Sequence, residues 1–247
     1  MDDRKRRKQA GGRVKRRGLA SPKTEAVVRA GRDPWAGALP PVPGGAGRTP
    51  AARLPAMARL NFDWVTEQLA VGGCFPREGV ESLARAHGIS RVVDLRGEDC
   101  DDELLLARHG IRLLHLPTED SCAVPPEALA RGVAWVIAAL RARHRVLIHC
   151  QHGIGRGALL AMCVLIESGL SPLATMTLAK DARAVVSPSP GQLRAMMAFA
   201  EERAARRKVG ENDREGWTVP SFDELAAIAY RHLAWKAGEL GSGTAGG

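Results

Sequence analysis

The sequence lacks both a long apolar segment and the cysteine density of a disulfide scaffold. Five cysteines in 247 residues are too few to staple a small secreted fold. No segment reaches the roughly 18 consecutive apolar residues of a membrane-spanning helix. No apolar core follows the first basic residues, as it does in a secretory signal. We therefore expect a reducing compartment and a cytoplasmic location.

Metal-ligand spacing is also missing, because the cysteines and histidines do not show the closely spaced pairs of a zinc site. We expect no metal and no other cofactor. What the chain does have is 45% hydrophobic residues, which is sufficient for one domain with a sizeable core.

Positive charge is concentrated at the amino-terminal end. The formal net charge is +9, and residues 1–57 alone hold 14 Lys/Arg against 4 Asp/Glu, so the rest is close to neutral. Basic clusters, a Pro/Gly-rich stretch and no apolar periodicity predict a disordered extension, whose charge suits a polyanion such as nucleic acid or acidic lipid. Two simpler interpretations compete: a solvated linker, or a coding start placed too early, with Met57 as the actual start.

From residue 58 onward, short β-branched segments alternate with segments of helical spacing. Strands are predicted at 61–65, 68–71, 89–95, 111–116 and 145–149, and helices at 78–87, 101–109, 125–143, 158–166, 172–182 and 190–208. This alternation predicts a single α/β domain with a central, mostly parallel β-sheet flanked by helices. We assign 58–208 to this α/β domain, and 209–247 to a linker plus a C-terminal helix that packs back on it.

The central stretch of the chain is VLIHCQHGIGRG at residues 146–157. An apolar strand leads to Cys150, a loop with two glycines follows, and Arg156 precedes an apolar helix. A loop between a buried strand and a helix N-terminus offers several N–H groups to an anion, and these favour a thiolate. Arg156 can hold two phosphate oxygens with its planar guanidinium. Together these features predict phosphoryl-transfer chemistry, against the alternative of a structural cysteine beside a tight turn.

The His-Cys-x5-Arg spacing resembles the signature of the cysteine-based dual-specificity and tyrosine phosphatases. The segment NFDWVTEQLAVGG at residues 61–73 resembles the opening of dual-specificity phosphatase domains. The resemblance implies a phosphatase that hydrolyses phosphotyrosine, phosphoserine or phosphothreonine in proteins through a phosphocysteine on Cys150. It also implies that the phosphate is bound by Gln151, His152, Gly153, Ile154, Gly155 and Arg156.

Three further residues are matched to roles by the same resemblance. Asp120 lies 30 residues before Cys150 and suits the general acid that protonates the leaving oxygen, with its neighbour Glu119 as the alternative. Gln192 resembles the residue that places the hydrolytic water. His149 is expected to support the loop and to keep the cysteine charged.

Gly157 departs from the family pattern, which usually has Ser or Thr after the arginine to stabilise the departing thiolate. Losing one hydrogen bond to a charged group costs about 1.5–3 kcal/mol, or roughly one to two decades in the second chemical step. Weakened turnover is therefore expected. Two alternatives stay open: an RNA 5′-phosphatase of the same fold, which Cys-x-His-Gly resembles, and a weakly active module that mainly binds phosphate. The natural substrate also stays open among phosphoprotein, phosphoinositide and RNA.

Overall fold

The computed structural model describes residues 60–208 and 217–231. The basic extension at 1–57, with its predicted polyanion binding, lies outside these residues, as does the linker at 209–216.

Five strands form one sheet in the order β1-β2-β5-β3-β4. They are β1 (Phe62–Trp64), β2 (Leu69–Gly72), β3 (Ile89–Arg96), β4 (Arg112–Thr118) and β5 (Arg145–His149). β1 is antiparallel to β2, and all other neighbours are parallel. The predicted α/β fold with a mostly parallel sheet is confirmed.

Helices connect and cover the strands. They are α1 (Val80–Arg85), α2 (Glu103–Arg108), α3 (Pro126–Arg141), α4 (Arg156–Glu167), α5 (Pro172–Ala182), α6 (Pro190–Lys208) and α7 (Phe222–Ala229). Side-chain caps start several of them: Asp102 accepts from the N–H of Leu105, and Ser171 from the N–H of Ala174. No helix of the described chain is long and apolar enough to cross a membrane.

Successive side chains of β5 point to opposite faces of the sheet and belong to two different hydrophobic clusters. Val146 and Ile148 belong to a large cluster with α3 to α7, whereas Leu147 belongs to a smaller one with α1 and α2. Residues two apart in a strand share a face, so β5 is covered on both sides, as is usual for parallel strands between helices. α4 lies within the larger cluster with residues 156–166 all buried, which explains its unbroken apolar run.

The carboxyl ends of the parallel strands meet at one edge of the sheet. β2 ends at Gly72, β3 at Arg96, β4 at Thr118 and β5 at His149. Loops that follow such ends carry the functional residues of many α/β folds, and the predicted phosphate loop follows β5 at this edge.

Candidate active site

The loop between β5 and α4 is held from outside through its carbonyl groups. Four consecutive carbonyl oxygens, those of residues 151–154, accept hydrogen bonds from other segments. The donors are Cys74 N to Gln151 O (3.1 Å), Arg183 Nη2 to His152 O (2.9 Å), Arg183 Nε to Gly153 O (3.0 Å) and Ser187 N to Ile154 O (3.0 Å). Within the described residues, no oxygen accepts from the N–H groups of 151–155. Bonded carbonyls and unbonded N–H groups give the loop the character of an anion cradle.

Two glycines are required by the close contacts of this loop. Gly153 has φ +68°, and a Cβ there would lie 2.4 Å from the carbonyl carbon of Gly72. A Cβ on Gly155 would lie 2.3 Å from Oε1 of Gln192. A larger residue at either position would therefore displace the loop or the groups that touch it.

Cys150 and Arg156 stand at the two ends of the loop, and both are buried. The two Nη atoms of Arg156 form a bidentate pair with Glu98 at 2.7 Å each, and Nη1 also donates to Thr118 O at 2.8 Å. The hydrogen bonds to Glu98 raise the pKa of Arg156. The same bonds lower the pKa of Glu98 to about 2, so both groups are charged at neutral pH.

One donor of Arg156 has no partner among the residues that the structure describes. Its Nε is buried and makes no hydrogen bond within the described chain, while Glu98 and Thr118 fix the Nη groups. A buried donor left unpaired costs about 1–3 kcal/mol. The guanidinium therefore has a free N–H with which it can hold an anion.

Asp120 lies beside Arg156, in the loop after β4. Its Oδ1 is 3.0 Å from Nη2 of Arg156, and its side chain is 72% exposed. Glu119 instead contacts Cys122, with 3.9 Å between Oε2 and Sγ. Ser121, which directly follows Asp120, has φ +61°, and its carbonyl oxygen accepts a hydrogen bond from Ser189 Oγ at 2.8 Å. Of the two neighbouring carboxylates, only Asp120 lines the cavity above Cys150.

This cavity has a volume of about 180 Å³. It is lined by Asp120, Ser121, Cys150, His152, Ile154, Gly155, Arg156, Ser187, Ser189 and Gln192. Most of the residues that the sequence predicts for the site are therefore together in one place. The lining combines hydroxyl, amide and charged groups with the apolar side chain of Ile154, and no Phe, Tyr or Trp of the described chain is among the lining residues.

Gln192 is buried at the third position of α6. Its Oε1 accepts from Ser189 N at 2.8 Å, and its Nε2 donates to Cys122 O at 2.9 Å. The side chain thus joins the loop of Asp120 to the loop before α6. Because an amide oxygen has two lone pairs, one acceptor position remains for a water molecule.

Arg183, at the start of the loop before α6, ties the phosphate loop to β1. Besides its two bonds to the phosphate loop, its Nη1 lies 2.7 Å from Oδ2 of Asp63, and its Nη2 donates to Oδ1 of Asn61 at 2.7 Å. The side chain is 6% exposed. Such a multiply bonded arginine holds its partners in fixed positions.

His149 reaches a buried ionic network. Its Nε2 lies 2.9 Å from Oδ2 of Asp101, and its Nδ1 3.4 Å from the carbonyl oxygen of Cys150. Asp101 and Asp94 both accept from Nη2 of Arg96, at 2.6 and 2.9 Å. These buried charges are mutually paired, and through His149 they contact the backbone of the proposed nucleophile.

Two groups in this network bring possible metal ligands together. They are Asp94 with Cys100 and His115, and Asp94 with Asp101 and His149. In both groups, Nε and Nη2 of Arg96 already bind the carboxylate of Asp94. A cation would have to displace this buried guanidinium, so we describe the residues as an ion-pair network.

The loop before α6 is held from behind by α5 and by the C-terminal helix. Lys180 is 1% exposed and donates from Nζ to Val186 O at 2.7 Å and to Ser187 Oγ at 3.3 Å. Burial lowers the pKa of Lys180. The hydroxyl of Tyr230, just after α7, donates to Pro188 O at 2.6 Å. Because Ser187 lines the cavity, segments distant from the signature help to shape it.

A family model for the catalytic domain of dual specificity phosphatases matches residues 75–202, slightly more than half of the chain. The chain belongs to this family. No curated protein matches it in sequence.

Several solved structures resemble the chain. Human DUSP28 is 26% identical, with a TM-score of 0.52 over 58% of this chain and 98% of that one. Tk-PTP in its active form is 23% identical, with a TM-score of 0.54 over 57% of this chain and 97% of that one. PTPMT1 in complex with PI(5)P is 20% identical, with a TM-score of 0.56 over 59% of this chain and 97% of that one. The last two likenesses show the shared fold.

Sequence reasoning misses Glu98, Asp101 and Lys180. The two carboxylates follow β3, which lies next to β5 in the sheet. An available signal was that acidic residues after a parallel strand lie at the same edge as Cys150. No comparable signal existed for Lys180, since lysine is almost never fully buried.

Proposed function

We propose that this member of the family is a cysteine-dependent phosphatase that hydrolyses phosphate monoesters of proteins, on tyrosine, serine or threonine. The observation that carries the proposal is the buried Arg156, whose Nε has no partner within the described chain and which shares a cavity with Cys150. A phosphate dianion supplies the acceptor that this donor lacks. It would then lie between a fixed cation and a nucleophile.

The proposed reaction has two steps. In the first, the Cys150 thiolate forms an S–P bond, the ester P–O bond breaks, and Asp120 gives its proton to the leaving oxygen. In the second, a water oxygen bonds to phosphorus, its proton goes to Asp120, and the S–P bond breaks to return the thiolate. The loop N–H groups and Arg156 stabilise the phosphoryl oxygens in both steps.

The position of Asp120 supports its role as the acid. A phosphate oxygen that binds Nη2 of Arg156 takes the place of the Asp120 carboxylate, which lies 3.0 Å from that atom. The side chain of Asp120 then no longer binds Arg156, and its carboxyl group can approach the oxygen of the leaving group in the cavity. Glu119 does not line the cavity, and Gln192 retains one acceptor position for the water of the second step.

The size of the cavity supports a substrate that is bound mainly by its phosphate group. Its volume of about 180 Å³ is below the roughly 300–1,000 Å³ of pockets that enclose a drug-sized ligand. The lining residues include no Phe, Tyr or Trp that would select an aryl ring by stacking on it. We therefore favour alkyl as well as aryl phosphate esters of proteins.

A substrate panel on the full chain tests the proposal, with Cys150→Ser as the control. The panel contains phosphotyrosine, phosphoserine and phosphothreonine peptides, PI(5)P and a 5′-triphosphorylated RNA. We expect phosphate release from the peptides and only background release by Cys150→Ser, because a serine hydroxyl is a far weaker nucleophile than a thiolate. If the lipid or the RNA were hydrolysed faster than the peptides, the proposed substrate class would be wrong. Activity retained by Cys150→Ser would disprove the nucleophile.

A further inference from the structure

Three basic side chains lie together at the edge of the sheet opposite to the phosphate loop. Arg91 near the start of β3 and Arg112 at the start of β4 are Cα partners in neighbouring parallel strands. His144, which precedes β5, has its Nε2 2.7 Å from Nη2 of Arg91. We call these three residues the amino-edge cluster. β5 has five residues, so at about 3.3 Å per residue this edge lies roughly 16 Å from Cys150.

Among the described residues, no opposite charge is paired with either arginine of the amino-edge cluster. Like charges directly opposite in a sheet are destabilising, and no carboxylate of the described residues forms an ion pair with Arg91 or Arg112. Burial, and then the charge of Arg112, lower the pKa of Arg91. By contrast, Arg96 is surrounded by three aspartates. Clustered cations without counter-charge attract anions.

The hydrogen bonds of His144 hold it in its neutral form. Arg91 Nη2 can only donate, so Nε2 of His144 accepts, and the ring proton is on Nδ1, 3.0 Å from Ser90 Oγ. Burial, followed by the charges of Arg91 and Arg112, lowers the pKa of His144. The ring becomes a third cation once an anion offsets the two arginines.

We propose that the amino-edge cluster is a second anion site, which binds a tetrahedral dianion such as a phosphate group independently of the phosphate loop. Its two guanidinium groups supply donors whose planar geometry suits an oxyanion. The other charged or titratable groups of the adjoining segments are Glu67, His87, Arg108, His109, Arg141, Arg143 and Arg145. Only one of them is acidic, and Arg145 is already placed over Trp64, 5.2 Å from the ring centroid.

Protonation of His144 gives binding at this site a defined pH dependence. A bound dianion favours the imidazolium and so raises the pKa of His144. By linkage, the affinity for the dianion increases as the pH falls through that raised pKa. A rise of about one pKa unit corresponds to an approximately tenfold gain in affinity.

The test uses sodium sulfate, whose charge is constant over the titration range of histidine. In the full chain carrying Cys150→Ser, the pKa of His144 is read from its ring-proton NMR signal, which is assigned with His144→Asn. Sodium chloride at equal ionic strength is the reference. We expect saturating sulfate to raise the pKa of His144 by about one unit. Inorganic phosphate and phosphoserine, compared next, distinguish a free anion from a phosphate carried by a protein residue.

Arg112→Gln distinguishes a defined site from general attraction of anions to a basic protein. It should raise the pKa of His144 in the absence of sulfate, because a neighbouring cation is removed, and should weaken sulfate binding about tenfold. Arg131→Gln, at an exposed position of α3, changes the net charge equally and should alter neither quantity. If Arg112→Gln fails to fold, Arg112→Lys should weaken sulfate binding while the pKa of His144 stays low. An unchanged pKa of His144 in sulfate, or equal effects of the two glutamine variants, would overturn the proposal.

Discussion

Gly157 can accept a Cβ at the position where the family signature usually has a hydroxyl. A Cβ there would lie 3.4 Å from Cα of His149 and 3.5 Å from the carbonyl oxygen of Ile148, which is close to ordinary contact. The Cβ of a serine therefore fits, and we expect its hydroxyl to speed release of the Cys150 thiolate by roughly one to two decades. In stopped-flow measurements we expect the wild type to show a burst of product alcohol before a slow steady rate. Gly157→Ser should raise that rate and shrink the burst.

Gly157→Ala is the matched control, because it adds the Cβ without the hydroxyl. It should preserve both the burst and the slow steady rate. Equal acceleration by alanine and serine would indicate a helix effect, since any side chain reduces the flexibility that glycine brings to a helix. The slow second step would be refuted if the wild type showed no burst and the correctly folded Gly157→Ser variant had the same steady rate as the wild type.

Asp120 and Glu119 can be told apart by neutralising each in turn. Asp120→Asn should slow hydrolysis by about 10²–10⁴-fold, with the larger loss for alkyl phosphates, whose leaving groups need the proton more. It should also flatten the basic limb of the pH–rate profile. Glu119→Gln serves as the control, since its carboxylate does not line the cavity, and should stay near the wild-type rate. The reverse outcome would move the assignment by one residue.

Among the structural elements, the C-terminal helix α7 offers a test of how the loop before α6 is held. Tyr230→Phe removes the 2.6 Å hydrogen bond to Pro188 O and leaves that carbonyl without its donor. We expect urea unfolding to show a loss of about 0.5–1.5 kcal/mol. We also expect a slower second step, because the same loop bonds Gln192. Arg231→Gln removes the exposed ion pair with Asp181 and should change neither quantity measurably. Slowing of equal size in both variants would argue against a specific role of the tyrosine.

The elements of the core follow from sequence periodicity, with small differences at their ends. The apolar run 158–166 predicts a helix, and α4 begins two residues earlier, at Arg156, whose charged side chain hides the helix start from an apolar pattern although it is buried with bonds to Glu98 and Thr118. The segment 78–87 is predicted as one helix but starts with a 3-10 turn, Arg77–Gly79, before α1. The apolar pattern indicates that a helix is present, whereas tertiary contacts determine the residue at which it begins or ends.

At the scale of the whole molecule, the sequence predicts the part of the site that lies within one motif and misses what depends on the order of strands. Cys150 and Arg156 share a loop, so their proximity can be read directly. Glu98 reaches Arg156 only because β3 is the neighbour of β5, and Arg91 opposes Arg112 only through the register of β3 and β4. These contacts join segments that local patterns treat separately.

The bonds of Arg183 and Tyr230 have a consequence for how this protein can evolve. The phosphate loop is tied to Asn61 and Asp63 near the start of the described chain, and the loop before α6 is tied to Tyr230 near its end. These three partners lie outside residues 75–202, where the family is matched. Substitutions in either terminal segment can therefore change how firmly the loops around the cavity are held, without any change between Cys150 and Arg156. Paralogues with identical motifs could then diverge in speed through their ends alone.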